Sequence, residues 1–200
     1  MKDIVIFDGE YTAWQGSRER KWSEEWEHRE VVQISGIRIN PVTFEQIGDA
    51  FDEIVKPRIN SVLSEYFINL TSITNEDVDA RGIDFIEAFQ KFTKFSENAT
   101  LWSFGNDCPV VNENIELYKL QGKLTPLVGE DIRAWAKSIG IDVTKNLPDG
   151  REFTSGSFAE AIGAPFKTKA HYALNDALSI LAAVKYLVEE KGFKNPFADE

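Results

Sequence analysis

Cysteine is almost missing from this chain: Cys108 stands alone in 200 residues, which excludes an intrachain disulfide as a source of stability. Long apolar runs are missing too. No stretch approaches the roughly 18 residues of a membrane span, and the N-terminus has neither the basic region nor the long apolar region of a secretory signal. The expected location is therefore cytoplasmic, with no membrane partner, and Asn69-Leu-Thr71 and Asn98-Ala-Thr100 are chance matches to the glycosylation pattern. Cations are in deficit, with 22 Lys and Arg against 33 Asp and Glu and a net charge of −11. Affinity for a long duplex grows with the number of phosphates neutralised, so this balance argues against an extended, non-specific duplex grip. It leaves room for a protein that holds a few nucleotides of a strand end, because clustered carboxylates contribute negative charge that bound divalent cations offset.

What is present is a 42% apolar composition, which fits one globular domain over residues 1–200. A chain of this size buries roughly 70% of its unfolded surface. Lys2 to Phe7 reads as a strand whose Ile4, Val5, Ile6 and Phe7 are apolar without alternation, as expected when both faces are covered. Asp8 and Glu10 follow at its C-terminal edge. Residues two apart on an extended chain point to the same side, so these two hard oxygen ligands can converge on one ion.

Glu30 to Ile39 and Phe51 to Val55 read as two further strands, forming with the first an antiparallel meander. Between the first two strands lies Thr12 to Arg29, holding Trp14, Trp22 and Trp26 among Arg18, Arg20, Lys21 and Arg29. It is too long for a simple turn, and reads either as packing or as a functional excursion that helps hold a substrate. Short helices are expected over Ser61 to Leu70 and Thr74 to Ala80, the latter opened by a capping-box-like Thr74 and Asp77. Ile83 to Phe95 carries a core-facing stripe of Phe85, Ile86, Phe89, Phe92 and Phe95. Leu101 to Phe104 is a short strand, and a helix over Pro109 to Leu120 follows Gly105-Asn106-Asp107. Such strand-to-helix junctions are where open α/β sheets bind ligands. Leu127-Val128 is a candidate last strand, followed by helices over Asp131 to Ile139, Phe158 to Ile162 and Ala173 to Glu190.

Five helical residues turn about 500°, some 140° round the axis, so a continuous helix would point His171 away from Asp176. His171 is therefore placed in the loop before the last helix and Asp176 in its first turn. Taken singly, Asp8 or Asp176 reads more readily as a cap or turn residue and His171 as a surface residue than as catalytic groups. Cys108 reads as a small core residue. Gln33 is expected to face a neighbouring strand or loop and His28 to be solvated, neither with an assigned function.

Three motifs in this order, Phe7-Asp8-Gly9-Glu10, Gly105-Asn106-Asp107 and His171-x-x-x-x-Asp176, resemble the DEDDh 3′–5′ exonucleases, the family of proofreading exonuclease subunits and RNase T. The resemblance spans nearly the whole chain and implies an α/β, RNase H-like exonuclease fold, a central mixed five-stranded sheet flanked by helices. The segment Leu63 to Thr74 resembles the subgroup that trims histone-mRNA and small-RNA 3′ ends and its KapD-like bacterial relatives. The implied function is a metal-dependent 3′–5′ exonuclease that releases nucleoside 5′-monophosphates. Its partner would be a single-stranded nucleic acid 3′ end, with RNA favoured over DNA. The implied cofactor is two Mg²⁺ ions, for which Mn²⁺ can substitute.

Carried over by resemblance, Asp8 bridges the two ions, Glu10 and Asp176 complete the first, and Asp107 holds the second largely through water. Two cations about 3.5–4 Å apart activate the attacking water, stabilise the phosphoryl oxygens and assist the leaving 3′ oxygen. His171 takes the proton from the water, since an imidazole with an ordinary pKa of about 6.5 suits a general base. Tyr66 matches a base-stacking aromatic position, and Tyr11, Leu70 and Thr71 complete the expected substrate contacts. Tyr11 departs from the family, which commonly has threonine after the glutamate. Two other readings compete: a non-catalytic binding module that keeps the fold, and an Asp-nucleophile phosphatase. The phosphatase would need an aspartate where Glu10 stands.

Overall fold

A computed structural model describes every residue except Asn106, Asn146, Pro148, Asp199 and Glu200. The expected sheet is present, in the order β3-β2-β1-β4-β5. Strand β1 (Ile4–Tyr11) pairs antiparallel with β2 (Val31–Ile39), which pairs antiparallel with β3 (Phe51–Ile54). On its other side β1 runs parallel to β4 (Thr100–Ser103), and β4 parallel to β5 (Gly129–Asp131).

The unalternating start of β1 follows from packing on both faces. Ile4 and Ile6 face a core built with α6 (Ile132–Ser138), α7 (Phe158–Ala161) and α8 (Ala173–Glu189). Val5 and Phe7 face a second core with α4 (Phe85–Phe95) and α5 (Asp107–Leu117). There Phe85, Phe89 and Phe92 are fully buried, as their spacing requires. The segment before α4 forms α2 (Glu65–Thr71) and α3 (Asn75–Arg81), the latter with a complete Thr74–Asp77 capping box. Helix α2 begins later than Ser61, because the Ser64 hydroxyl accepts the Phe67 N–H and so sets the helix start.

Three further boundaries that differ from the sequence reading bear on the site. Strand β1 continues through Asp8, Gly9 and Glu10 to Tyr11, with a register shift between Glu10 and Tyr11, so the acidic pair lies within a paired strand. Its bonds to β2 hold these polar residues extended, which a hydrophobic pattern does not register. The last strand is Gly129–Asp131, two residues beyond Leu127-Val128; Val128 is 86% exposed while Leu127 packs in the second core. This edge strand is selected by backbone pairing with Leu101 to Ser103, and Gly129 fits because a Cβ there would lie 2.8 Å from the Cys108 sulfur. Helix α5 starts at Asp107, ahead of Pro109; proline is tolerated in a first turn, whose N–H groups have no intrahelical acceptor. Asn106, the middle residue of the second motif, lies outside the described residues.

Candidate active site

Strand alternation carries the face of Ile4 and Ile6 on to Asp8 and Glu10, so both carboxylates point toward α8. That helix presents Asp176 in its first turn, and His171 sits just before it. His171 has a left-handed backbone, with φ 64°, outside the helix. Asp107 enters from the first turn of α5, where its carboxylate accepts hydrogen bonds from the Gly9 N–H and the Ser103 hydroxyl. All five residues line one cleft of about 1430 Å³. Glu10, His171 and Asp176 each bring one potential ligand atom to within 4.8 Å of the others.

Four carboxylates are buried here, and among the described residues none is in a salt bridge to a cation. Among the described residues, the buried Asp107 Oδ2 and Asp176 Oδ1 have no hydrogen-bond partner. Burial, then the charges of Asp107 and Asp176, hold Asp8 well above the usual carboxylate range; burial and the charges of Asp176 and Asp107 do the same to Glu10. Burial pushes Asp107 and Asp176 up to about 7, although both accept hydrogen bonds that favour the charged form. Such a set fits divalent cations: hard oxygen donors, with lone pairs left over and mutual repulsion that a cation removes. His171 is shifted the other way, below its ordinary value, by burial and then by the nearby Arg18. A neutral imidazole can accept a proton.

Several supporting residues escaped the sequence reading. Ser155 donates to Asp176 Oδ2 at 3.1 Å and also bonds Asp8. The next residue has to be glycine, since a Cβ on Gly156 would lie 2.4 Å from Asp176 Oδ1. Gln33 faces α8 from β2: its Oε1 accepts the Ala173 N–H at 3.1 Å, and its Nε2 donates to Asp52 at 2.7 Å. Asp52 also accepts the Tyr172 hydroxyl at 2.8 Å, so a polar network ties down the start of α8 between His171 and Asp176. A glutamine among β-branched residues was the available signal. In the second motif Gly105 has φ 111°, and the Arg133 guanidinium carbon would be 2.9 Å from a Cβ there. Cys108 is buried, and burial pushes its thiol up to about 12, consistent with an inert core residue. His28 is half-buried and its carbonyl accepts the Thr12 hydroxyl at 2.5 Å, so it is not freely solvated.

Of the expected substrate contacts, Tyr11, Tyr66 and Leu70 line the cleft. Thr71 does not. It is 1% exposed, and its hydroxyl donates to the Phe67 carbonyl and accepts the Ile73 N–H, both at 3.0 Å. Helical rotation explains the correction: Tyr66 and Leu70 are four apart and share a face, and Thr71 lies about 100° round from Leu70.

The excursion of residues 12–29 is packed and also borders the cleft. It contains α1 (Ser17–Arg20), and Trp22 donates to the Thr12 carbonyl while meeting Tyr11 edge-on. Arg29 lies over the Tyr11 and Trp22 rings. Trp14, Arg18, Lys21 and Trp22 nevertheless line the cleft.

A mixed sheet flanked by helices, with acidic residues from β1, α5 and α8 meeting at the strand ends, defines the exonuclease class. The chain belongs to the exonuclease family that includes RNase T, whose profile matches residues 5–184. It is 29% identical over 182 residues to 3′-5′ exoribonuclease 1 of Mus musculus, covering 88% of this chain and 50% of the relative. The chain thus spans about half the length of the curated relatives it matches. Its fold resembles the nuclease domain of 3′hExo, a DEDDh family member bound to rAMP, with a TM-score of 0.73 at 22% identity over 94% of this chain and 92% of that one. It also resembles E. coli exonuclease I in complex with a dT13 oligonucleotide, with a TM-score of 0.66 at 16% identity over 96% of this chain and 42% of that one.

Proposed function

We propose that this protein is a metal-dependent 3′–5′ exonuclease that releases nucleoside 5′-monophosphates from single-stranded ends. The observation that carries the proposal is that four buried carboxylates, none paired with a cation among the described residues, line one cleft in which two of them, Glu10 and Asp176, meet the half-buried His171 imidazole. Purely structural carboxylates at this depth would be paired or fully hydrogen-bonded.

Asp8, Glu10, Asp107 and Asp176 would hold a pair of Mg²⁺ ions, with Mn²⁺ as a substitute. The ions supply positive charge to the phosphoryl oxygens and to the leaving 3′ oxygen. His171 takes the proton from the attacking water. Ser155 and the backbone around Gly156 keep the Asp176 carboxylate oriented, and the Gln33–Asp52–Tyr172 network keeps the loop of His171 registered with α8. Tyr66 and Leu70 receive the terminal base, with Tyr66 as a stacking face that tolerates any base.

RNA is the favoured substrate, supported by the name of the exoribonuclease relatives and by a similar 3′-exonuclease fold described with a histone mRNA stem-loop. The test is digestion of end-labelled single-stranded RNA and DNA of matched sequence with Mg²⁺, Mn²⁺ or EDTA. Stepwise release of 5′-monophosphates from free 3′ ends, lost in EDTA, is expected. Linearisation of a circular strand, or equal activity on a 3′-blocked strand, rejects the exonuclease reading. Binding without release under any metal points instead to a non-catalytic module.

A further inference from the structure

The cations that line the cleft, Arg18, Lys21, Arg29, Arg133 and Lys137, have no part in the chemistry above, and Arg18 stands nearest to the proposed base. Arg18, at the exposed tip of α1, reaches Glu152 on the opposite wall, a contact between residues 134 apart in sequence. Both side chains are more than half exposed, at 62% and 56%. Both charges also act on the His171 imidazole, so the pair stands beside the proposed base. The support beneath Arg18 is firm. The buried Ser17 hydroxyl donates to Glu27 and accepts the Trp14 N–H, both at 2.8 Å, and Arg20 pairs with the same Glu27.

The other arginines of the cleft are held differently. Arg133 is clamped to Asp131 through both Nε and Nη2 and lies over Phe104, while Arg29 pairs with Glu113 and lies over two aromatic rings. Among the described residues Arg18 has only its exposed partner, and exposed pairs of that kind hold weakly. This one opens easily.

Building on the exonuclease reading, we infer that Arg18 exchanges Glu152 for a non-bridging oxygen of the scissile phosphate, with Glu152 its resting partner in the free protein. A phosphodiester offers the anionic oxygens that a carboxylate does, and a guanidinium pairs with either in the same forked geometry. The arriving strand repels Glu152, whose exposure lets it move into water. Arg18 then faces a phosphate on a wall that also carries Lys21 and Arg29.

The test is binding of a short fluorescein-labelled single-stranded RNA, followed by anisotropy in Ca²⁺, with nucleotide release in Mg²⁺ measured in parallel. Arg18→Ala should raise Kd about tenfold. It should also make the dependence of log Kd on log salt shallower by about 0.7, one phosphate contact. Arg18→Lys should recover part of the loss. Glu152→Gln should act in the opposite direction and lower Kd about threefold, because the competing anion is gone. If the pair only strapped the two walls together, both variants would weaken binding. A Glu152→Gln protein with raised Kd, or an Arg18→Ala protein with an unchanged salt slope, overturns the exchange. A wild type that binds the RNA but releases no nucleotide rejects the exonuclease reading while the affinities still report on the exchange; a wild type that does not bind rejects both.

Discussion

Two sets of buried carboxylates in this protein are treated in opposite ways. Glu30, fully buried at the start of β2, is surrounded by donors: its Oε1 accepts the Arg58 N–H at 2.6 Å, the Ile59 N–H at 2.7 Å and the Tyr118 hydroxyl at 2.6 Å, and its Oε2 accepts the Asn60 N–H. In the cleft, Ser155 and the His171 N–H reach one oxygen of Asp176, but among the described residues Asp107 Oδ2 and Asp176 Oδ1 have no hydrogen-bond partner and no cation pairs with any of the four carboxylates. Burying a charge is costly unless hydrogen bonds or an opposite charge replace its water. The polypeptide itself solves that problem for Glu30, which fastens the 58–60 loop to the sheet. It leaves the problem unsolved at the cleft, where a ligand from outside can solve it. What sets the cleft apart is the missing cation, since buried Glu27 also has one unpartnered oxygen but is paired with Arg20.

The largest test of this contrast lies in the cleft. Asp8→Asn or Asp176→Asn should lower turnover by about 10³-fold or more, some 4 kcal/mol of barrier. The same variants should melt at or above the wild-type temperature in EDTA, because a source of like-charge repulsion is gone. Substantial nuclease activity in either purified variant would rule out the site as drawn. His171→Ala should cost about 10²–10⁴-fold in rate with metal affinity near wild type, as measured by calorimetry. An equal loss of metal affinity would make the imidazole a ligand, an arrangement that its closeness to Glu10 and Asp176 permits.

Glu30→Ala should do the reverse of the cleft aspartates. With the carboxylate gone, several buried or half-buried donors lose their acceptor, and stability to urea should fall by about 3 kcal/mol with little change in turnover per folded molecule. A loss below about 1 kcal/mol would erase the contrast.

The metal-free cleft should also make stability depend on pH with a definite sign. Asp107 and Asp176 titrate near 7 in the folded protein, well above the carboxylates of an unfolded chain at about 3.9. The folded state therefore binds their protons more tightly. Their contribution is complete below about pH 4 and is lost as the pH rises through about 7. In EDTA the melting temperature should fall across that window, and Mg²⁺ should remove most of the fall. A metal-free protein whose stability rises steadily from pH 4 to 7 would contradict the crowding of charge in the cleft. The smallest expected effect is that of Tyr66→Ala, which should weaken binding of a short strand by about 1–3 kcal/mol if the ring stacks on the terminal base.

Local pattern and spacing were enough to read most of the scaffold. The phenylalanine stripe marked α4, the β-branched run marked β2, Thr74 and Asp77 marked the start of α3, and the angular argument placed His171 outside α8. Each of these rests on neighbours within a few residues, where a repeat of 2.0 or 3.6 residues is decisive. The motif order was also enough to name residues that the fold brings into one cleft. Spacing did not reach β5, which is defined by pairing with β4, nor the extension of β1 through its acidic residues, which is held by β2. It also placed Thr71 beside Tyr66 and Leu70 in sequence, although helical rotation turns it into the core.

The sequence by itself determined which groups this protein has to work with: a lone core cysteine, an excess of acid, and carboxylates at both ends of the chain around one well-placed histidine. Tertiary structure alone decided which of those carboxylates find donors and which stay unsatisfied. Glu30 meets the 58–60 loop and Tyr118, and Arg18 meets Glu152, across separations that no local pattern encodes. Gly156 passes so close to Asp176 that no side chain fits. The strength of a charge depends on the water, donors and other charges within a few ångströms, and only the folded chain sets those distances.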